Sequence, residues 1–211
     1  MLARTFKLTV AFLLILITLS TQVSAQATTS LTLEDFMQER KLGEDKAPVK
    51  VIEYSSFTCS HCASFATEAL PKIKEELIKT GKVQIIFRDF PLDRFALKEA
   101  MMARCAPKEN YFDIVEMLFS SQKRLADSAD AERFLIQLGS LVGMSEEEFK
   151  ACTENTEFEK AIVDRLQETQ KKYNLNSVPT FIFNDGKKTV MGYQTSEQFK
   201  KIVMELTAEK K

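Results

Sequence analysis

Two cysteines separated by two residues stand at the centre of the segment FTCSHCASF, residues 57–65. Cys59 and Cys62 enclose Ser60 and His61, the only histidine of the 211-residue chain. A pair with this spacing can bind a metal, form a structural disulfide, or exchange electrons as a reactive disulfide. The secondary-structure elements on either side of the pair indicate which of these three roles it has.

A metal site is disfavoured, because a closed zinc site needs four ligands. The other two cysteines, Cys105 and Cys152, stand alone at long separations, and no second close pair completes a tetrahedron. A purely structural disulfide between Cys59 and Cys62 is an alternative. Closing so short a loop stabilises a fold little, since the entropic gain grows with loop length.

The Cys59 pair lies where a strand pattern changes to a helix pattern. Residues 49–54 carry apolar side chains on both faces, which is typical of a central strand. From Cys59 the apolar spacing is helical as far as Gly81, and Pro71 predicts a kink in this helix. Cys59 then falls at a helix N-terminus, where free backbone N–H groups and the helix dipole favour a thiolate. Cys62 lies one turn later, so the pattern favours a nucleophile and a resolving thiol.

The two residues between the cysteines favour an oxidant. His61 can stabilise a Cys59 anion by its charge when protonated, or through an N–H when neutral. Lowering a cysteine pKa from about 8.5 to about 5 favours the reduced form at pH 7 by about 2.7 kcal/mol, or about 60 mV for two electrons. Because a stabilised thiolate makes the disulfide easier to give away, Ser60 and His61 predict disulfide donation.

Glu53 is an acid in the otherwise apolar strand, six residues before Cys59. A position at a wet strand end is one interpretation. We favour a second, in which burial raises the carboxyl pKa so that Glu53 accepts or returns a proton as Cys62 reacts.

The rest of the chain supplies the scaffold. Residues 83–87 predict a second strand, parallel to the first because a helix connects the two. Between residues 92 and 174 the apolar spacing is helical, and residues 180–183 and 188–191 then predict a hairpin. This order predicts an α/β protein with a thioredoxin fold, in which an all-helical domain is inserted between the second strand and the following helix.

Local signals mark the element and domain boundaries. Ser145 with Glu148, and Thr195 with Gln198, each predict a capped helix start. The predicted domains are a signal peptide over 1–25, a helical insertion over 92–156, and a thioredoxin-like domain in two parts over 26–91 and 157–211.

The first 25 residues have the pattern of a secretory signal peptide. Arg4 and Lys7 precede an apolar run of about twelve residues, which is shorter than the roughly twenty of a membrane-spanning helix. Val23 and Ala25 suit a cleavage site before Gln26, and an uncleaved membrane anchor is the alternative. Export places the thiols in an oxidising compartment, so the four cysteines need explaining as two pairs.

Size and charge exclude some classes of function. About 186 residues follow the signal, enough for one core and one insert. The 29 basic and 30 acidic side chains nearly balance, so the composition gives no indication of nucleic-acid binding.

Four segments resemble the DsbA-type thiol:disulfide oxidoreductases of bacterial envelopes across nearly the whole mature chain. They are APVKVIEYSSFTCSHC, FRDFPL, ARCAPKENYFDIVEMLF and SVPTFIFN. The resemblance implies that Glu53 is a buried proton acceptor and that Pro179 is cis and packs against Cys59. It also implies that Val178 offers backbone hydrogen bonds to an extended substrate. Without the resemblance, Pro179 would only begin a strand.

The sequence departs from the family's best-known members at two places. Ser60 replaces a common proline, which leaves the oxidising strength open. Cys105 and Cys152 are absent from those members, although some relatives carry a second pair in the insert. Because two lone thiols in an exported domain would oxidise, we expect a structural disulfide between them.

The resemblance implies an exported, periplasmic oxidase that donates the Cys59–Cys62 disulfide to cysteine-containing proteins arriving in the envelope. It implies reoxidation by a DsbB-like membrane partner that passes electrons to quinone, and it implies no metal or organic cofactor. We expect a monomer, and an isomerase is less favoured than an oxidase because isomerases of this fold usually add a dimerisation domain, for which we see no room. A disulfide isomerase or reductase, and a non-catalytic chaperone or binding module, are the alternatives.

Overall fold

A mixed β-sheet forms the centre of the structure, a computed structural model that describes residues 32–208. The strands are β1 (Arg40–Leu42), β2 (Val49–Ser55), β3 (Val83–Asp89), β4 (Thr180–Phe183) and β5 (Lys188–Met191). They lie in the order β1-β3-β2-β4-β5, with β2 and β3 parallel and the other neighbours antiparallel. The predicted signal peptide lies outside the described residues.

Helices cover both faces of the sheet and form the insertion. They are α1 (Leu33–Met37), α2 (60–78), α3 (Arg94–Cys105), α4 (Tyr111–Ala126), α5 (Ala131–Leu141), α6 (Glu146–Thr153), α7 (Thr156–Tyr173) and α8 (Ser196–Ala208). Among residues 32–208, none of these helices has the length and apolar character needed to cross a membrane.

The strand β2 is the central strand that the sequence predicted. It pairs with β3 on one side and with β4 on the other. Val49 and Val51 point into a core under α2 and α8, whereas Ile52 and Tyr54 point into a second core on the opposite face. Alternation along the strand is therefore confirmed, with both faces covered.

The helix α2 carries the cysteine pair at its start and is irregular further along. A π-helical turn, Phe65–Ala69, precedes the short α-helical stretch Leu70–Ile73, and a second π-helical turn follows over Lys74–Ile78. Pro71 has no N–H to donate to the preceding turn, and the first π turn lies where that hydrogen bond is missing. The predicted disturbance at Pro71 thus takes the form of a wider turn.

The helices α3 to α6 follow β3 and form the insertion, whose buried aromatic and aliphatic side chains share one core with Phe57, Cys62 and Phe87. A disulfide joins Cys105, at the end of α3, to Cys152 in α6. Ser145 and Glu148 form the predicted capping box. Together with the return of the chain through α7 to the β4–β5 hairpin, this order confirms a thioredoxin fold with an inserted all-helical domain.

A buried ion pair ties the insertion to the sheet, and the sequence pattern did not reveal it. Arg104 of α3 pairs with Asp89 at the end of β3, and both side chains are almost fully buried. Arg104 also donates to the carbonyl oxygens of Phe36 and Gln38, at 3.0 and 3.1 Å. These contacts fix the segment that leads into β1, a three-residue edge strand too short to be predicted from alternation.

Candidate active site

Cys59 occupies the N-cap position of α2, after the loop that follows β2. Its side chain is partly exposed, whereas Cys62 is fully buried one turn into the helix. The backbone N–H groups of Cys62 and Ala63 both donate to the Cys59 carbonyl oxygen at 3.1 Å. The first helical turn therefore fixes the backbone of the exposed cysteine, and both thiols are reduced in the structure.

The surroundings of Cys59 stabilise its thiolate and lower its pKa from 9.0 to about 6. The largest cause is a hydrogen bond from the Cys62 thiol, to which the backbone N–H groups of Cys62 and His61 and the charge of His61 add. Partial burial acts in the opposite direction. The helix start expected from the sequence thus acts through two N–H groups of its first turn.

Cys62 has the opposite character. Its hydrogen bond with Cys59 and its burial raise the pKa of the Cys62 thiol far above the ordinary value. The Ser55 hydroxyl and the Ser56 backbone N–H lower the same pKa and are outweighed. At neutral pH the reduced pair therefore consists of a Cys59 thiolate and a Cys62 thiol.

The two residues between the cysteines are on the outside of the turn. Ser60 and His61 are both exposed. His61 contributes to the stability of the Cys59 anion through its charge and its backbone N–H. The Ser60 side chain points to the surface, and the structure does not explain how serine in place of proline changes the oxidising strength.

The loop before β4 lies directly against the exposed cysteine. The Val178–Pro179 peptide bond is cis. The Cys59 Sγ atom lies 3.6 Å from the carbonyl oxygen of Val178, across 119 residues of sequence. The fold thus brings Cys59 and Val178 together, and the bond to Pro179 has the cis form that the family resemblance implied.

Glu53 is buried at the centre of β2, with only 1% of its surface exposed. It lies in register between Phe87 of β3 and Phe181 of β4. Burial raises its pKa from 4.5 to about 8, and the Ser55 hydroxyl opposes this by hydrogen bonding. The interpretation of a wet strand end is therefore wrong, because the carboxyl group is inside the protein.

Gln122 of α4 holds the active-site turn from the side of the insertion. Its Nε2 atom donates to the carbonyl oxygens of Phe57 and Cys59, at 2.5 and 3.1 Å. A second tie joins Thr58 Oγ1 to the Asp93 carboxylate at 2.7 Å. Sequence reasoning missed both, because a glutamine in an amphipathic helix and a capping aspartate have no spacing that points to a distant turn.

The arrangement suits thiol chemistry at two sulfur atoms. Within residues 32–208, no group of three or more His, Cys, Asp or Glu side chains is arranged to hold a metal ion. The partly exposed thiolate, the buried thiol and the cis-proline loop instead form a site that can exchange disulfides with another thiol.

Comparisons with known proteins agree with this geometry. Residues 36–205 match the model of a family described as thioredoxin. The crystal structure of Wolbachia pipientis alpha-DsbA1 is similar at 31% identity and a TM-score of 0.74, over 82% of this chain and 92% of that one. The chain belongs to the DsbA-type proteins of the thioredoxin superfamily.

Curated relatives of this DsbA-type chain carry related names. The disulfide bond formation protein D of Bacillus subtilis is 26% identical over 77% of this chain and 74% of its own length. A Rickettsia typhi protein, whose name assigns it provisionally to the protein-disulfide oxidoreductases, is 29% identical over 77% of this chain. The chain spans 61% of that relative and 52% of its Rickettsia conorii counterpart, so it is shorter than these proteins.

Proposed function

We propose that this DsbA-type protein is an exported oxidase that donates its Cys59–Cys62 disulfide to cysteine-containing proteins in the bacterial envelope. The observation that carries the proposal is the contrast between the two thiols. Cys59 is partly exposed and has its pKa lowered to about 6, whereas Cys62 is buried and has its pKa raised. Stabilising one thiolate of the reduced pair makes the disulfide more oxidising.

The size of this effect follows from the shifted pKa of Cys59. Lowering the pKa from 9.0 to about 6 favours the reduced form at pH 7 by at most about 1.4 kcal/mol, or about 30 mV for two electrons. Solvent screens the partly exposed thiolate and reduces the figure further. The thiolate thus shifts the potential of the pair by a modest amount in the oxidising direction.

The reaction follows from the exposure of the two sulfur atoms. A substrate thiolate attacks Cys59 Sγ, the bond to Cys62 breaks, and Cys62 leaves with the electron pair and takes up a proton. A second substrate thiolate attacks the substrate sulfur of the mixed disulfide, and Cys59 leaves as the stabilised thiolate. The substrate is oxidised to a disulfide and the enzyme is reduced to a dithiol.

The remaining site residues have roles around these two steps. Glu53 supplies the proton that Cys62 takes up, because a carboxyl group with a pKa of about 8 is mostly protonated at pH 7. Val178 holds an extended substrate beside Cys59 by backbone hydrogen bonds, and Pro179 packs against Cys59. His61 stabilises the Cys59 anion, and Ser60 adjusts the oxidising strength of the Cys59–Cys62 disulfide.

The cell biology of the proposal rests on the sequence. Residues 1–25 act as the export signal to the periplasm, 26–91 and 157–211 form the catalytic domain, and 92–156 form the insertion that the Cys105–Cys152 disulfide stabilises. The enzyme acts as a monomer and is reoxidised by a DsbB-like quinone reductase in the membrane.

Equilibration of the Cys59 pair with glutathione tests the oxidase proposal. We expect a reduction potential clearly above the roughly −270 mV of thioredoxin. We also expect oxidation of a reduced model protein that is lost in Cys59→Ala, with little unscrambling of mispaired ribonuclease. A potential near that of thioredoxin, or strong unscrambling, would instead make the protein a reductase or an isomerase. Activity that survives in Cys59→Ala would favour a chaperone.

A further inference from the structure

Ser55 is the last residue of β2 and is 2% exposed. Successive side chains of a strand point to opposite faces, so Ser55 points to the same face as Glu53, two residues earlier. Val49 and Val51 show that this face is the one covered by α2, the helix that carries Cys62. The strand therefore places the serine hydroxyl on the same buried face as the carboxyl group, under the helix whose first turn carries Cys62.

The Ser55 hydroxyl is unusual among buried polar groups. Its oxygen is buried and completes no hydrogen bond of standard geometry, although burying a hydroxyl without a partner is costly. It is nevertheless close enough to both neighbours to lower the pKa of Glu53 and the pKa of Cys62. A hydroxyl can rotate, and it can donate and accept at once, so it can serve both groups.

We propose that the Ser55 hydroxyl relays the proton between Glu53 and Cys62 during disulfide exchange. When the substrate thiolate breaks the Cys59–Cys62 bond, Ser55 gives its hydroxyl proton to the Cys62 sulfur and takes the proton of the Glu53 carboxyl group. The products are the Cys62 thiol, the Glu53 carboxylate and an unchanged serine, and Glu53 regains its proton from solvent. Reoxidation of the enzyme uses the same path in reverse.

The other groups around the path do not replace the serine. The Tyr111 hydroxyl, buried in the insertion, senses the charge of Glu53, but its pKa is raised above its ordinary value, so it stays protonated. Cys59 is the thiolate of the pair. The Ser56 backbone N–H stabilises the Cys62 anion without giving up its proton. The relay rests on the proposed function, in which Glu53 supplies a proton to Cys62, and it adds the Ser55 hydroxyl as the group that carries this proton.

Rapid reduction of the oxidised protein by dithiothreitol tests the relay, with acid quenching, alkylation of free thiols and mass measurement. General acid catalysis by a positioned side chain contributes about 10²- to 10⁴-fold, and a water molecule can replace part of it. We therefore expect Ser55→Ala and Glu53→Gln each to slow reduction at pH 7 by about ten- to a hundredfold. The double variant should be no slower than the slower single variant. Ser55→Thr, which keeps the hydroxyl, should retain the rate.

Ser121→Ala is the matched control, because it removes another buried serine hydroxyl, in α4. It should leave the rate unchanged. Losses that multiply in the double variant, or a wild-type rate in Ser55→Ala or in Glu53→Gln, would overturn the relay.

A measurement on the wild-type protein covers the case in which Ser55→Ala fails to fold. Two protons move in the relay, so a plot of the reduction rate against the deuterium fraction of the solvent should be curved. A straight line would overturn the proposal. Dithiothreitol takes the place of a client protein in these experiments. The rates therefore test the relay independently of the glutathione equilibrium, which tests whether the protein is an oxidase.

Discussion

Replacing Glu53 by glutamine should stabilise the reduced protein, and increasingly so as the pH rises. The folded protein holds the Glu53 proton more tightly than the unfolded chain, because burial raises the carboxyl pKa from 4.5 to about 8. Ionisation of this group therefore costs stability. The wild-type protein keeps its full stability below about pH 4.5 and loses the contribution of Glu53 as the pH rises towards 8.

The magnitude follows from the two pKa values. One pKa unit corresponds to about 1.4 kcal/mol, so the interval from 4.5 to about 8 corresponds to about 5 kcal/mol at high pH. The linkage relation gives a loss of about 1 kcal/mol at pH 5 and about 3 kcal/mol at pH 7. Glutamine also buries two amide hydrogens that need partners, which subtracts an amount independent of pH. The change with pH is therefore the decisive quantity.

Urea unfolding of the reduced protein from pH 5 to pH 8, followed by far-ultraviolet circular dichroism, measures this change. Glu99 of α3 provides a matched control, because it is 1% exposed and has its pKa raised to about 8, chiefly by burial and then by the charge of Asp93. Glu53→Gln and Glu99→Gln should each remove about 3.5 kcal/mol of pH dependence over this range. Of the two, Glu53→Gln alone should also slow disulfide exchange.

The reasoning fails if Glu53→Gln and the wild type lose stability in parallel between pH 5 and pH 8. Parallel curves would mean that the Glu53 carboxyl group ionises in the folded protein as easily as in the unfolded chain. Its part as the proton donor to Cys62 would then be lost as well, since a carboxylate has no proton to give at neutral pH.

Three further outcomes are expected. Alkylation of reduced Cys59 by iodoacetamide should be half-maximal near pH 6, as judged by mass, and a midpoint near 9 would contradict a stabilised thiolate. Replacing Cys105 and Cys152 by alanine should lower the free energy of unfolding by about 4 kcal/mol for a separation of 47 residues. A loss in urea below about 1 kcal/mol would count against that model. Gln122→Leu should cost about 1–3 kcal/mol and raise the Cys59 pKa, with an unchanged pKa as the contrary result.

The sequence predicted those features whose cause is local. The faces of β2 follow from alternation, and the capping box of Ser145 and Glu148 joins residues three apart. The position of Cys59 at a helix start is likewise visible, because the strand pattern ends and the helical pattern begins at that residue. Such signals need no knowledge of the distant chain.

Features that join distant residues could not be predicted in the same way. Gln122 is 65 residues from Phe57, and Arg104 is 68 residues from Phe36. The Val178–Pro179 bond was implied by family resemblance, since a prolyl bond is cis only about one time in twenty. Ser55 is the clearest case, because its position two residues after Glu53 was visible, whereas the face of β2 that the predicted helix covers was not.

The insertion is part of the active site through the turn that it holds. The pKa of Cys59 depends partly on the backbone N–H groups of His61 and Cys62, whose direction is set by the turn before α2. Gln122 binds two carbonyl oxygens of that turn, and the Phe57 ring packs against Phe119 of α4 at 4.8 Å between centroids. A change in the insertion that moves α4 therefore alters the stability of the thiolate without touching either cysteine, which links the packing of the helical domain to the oxidising strength of the pair.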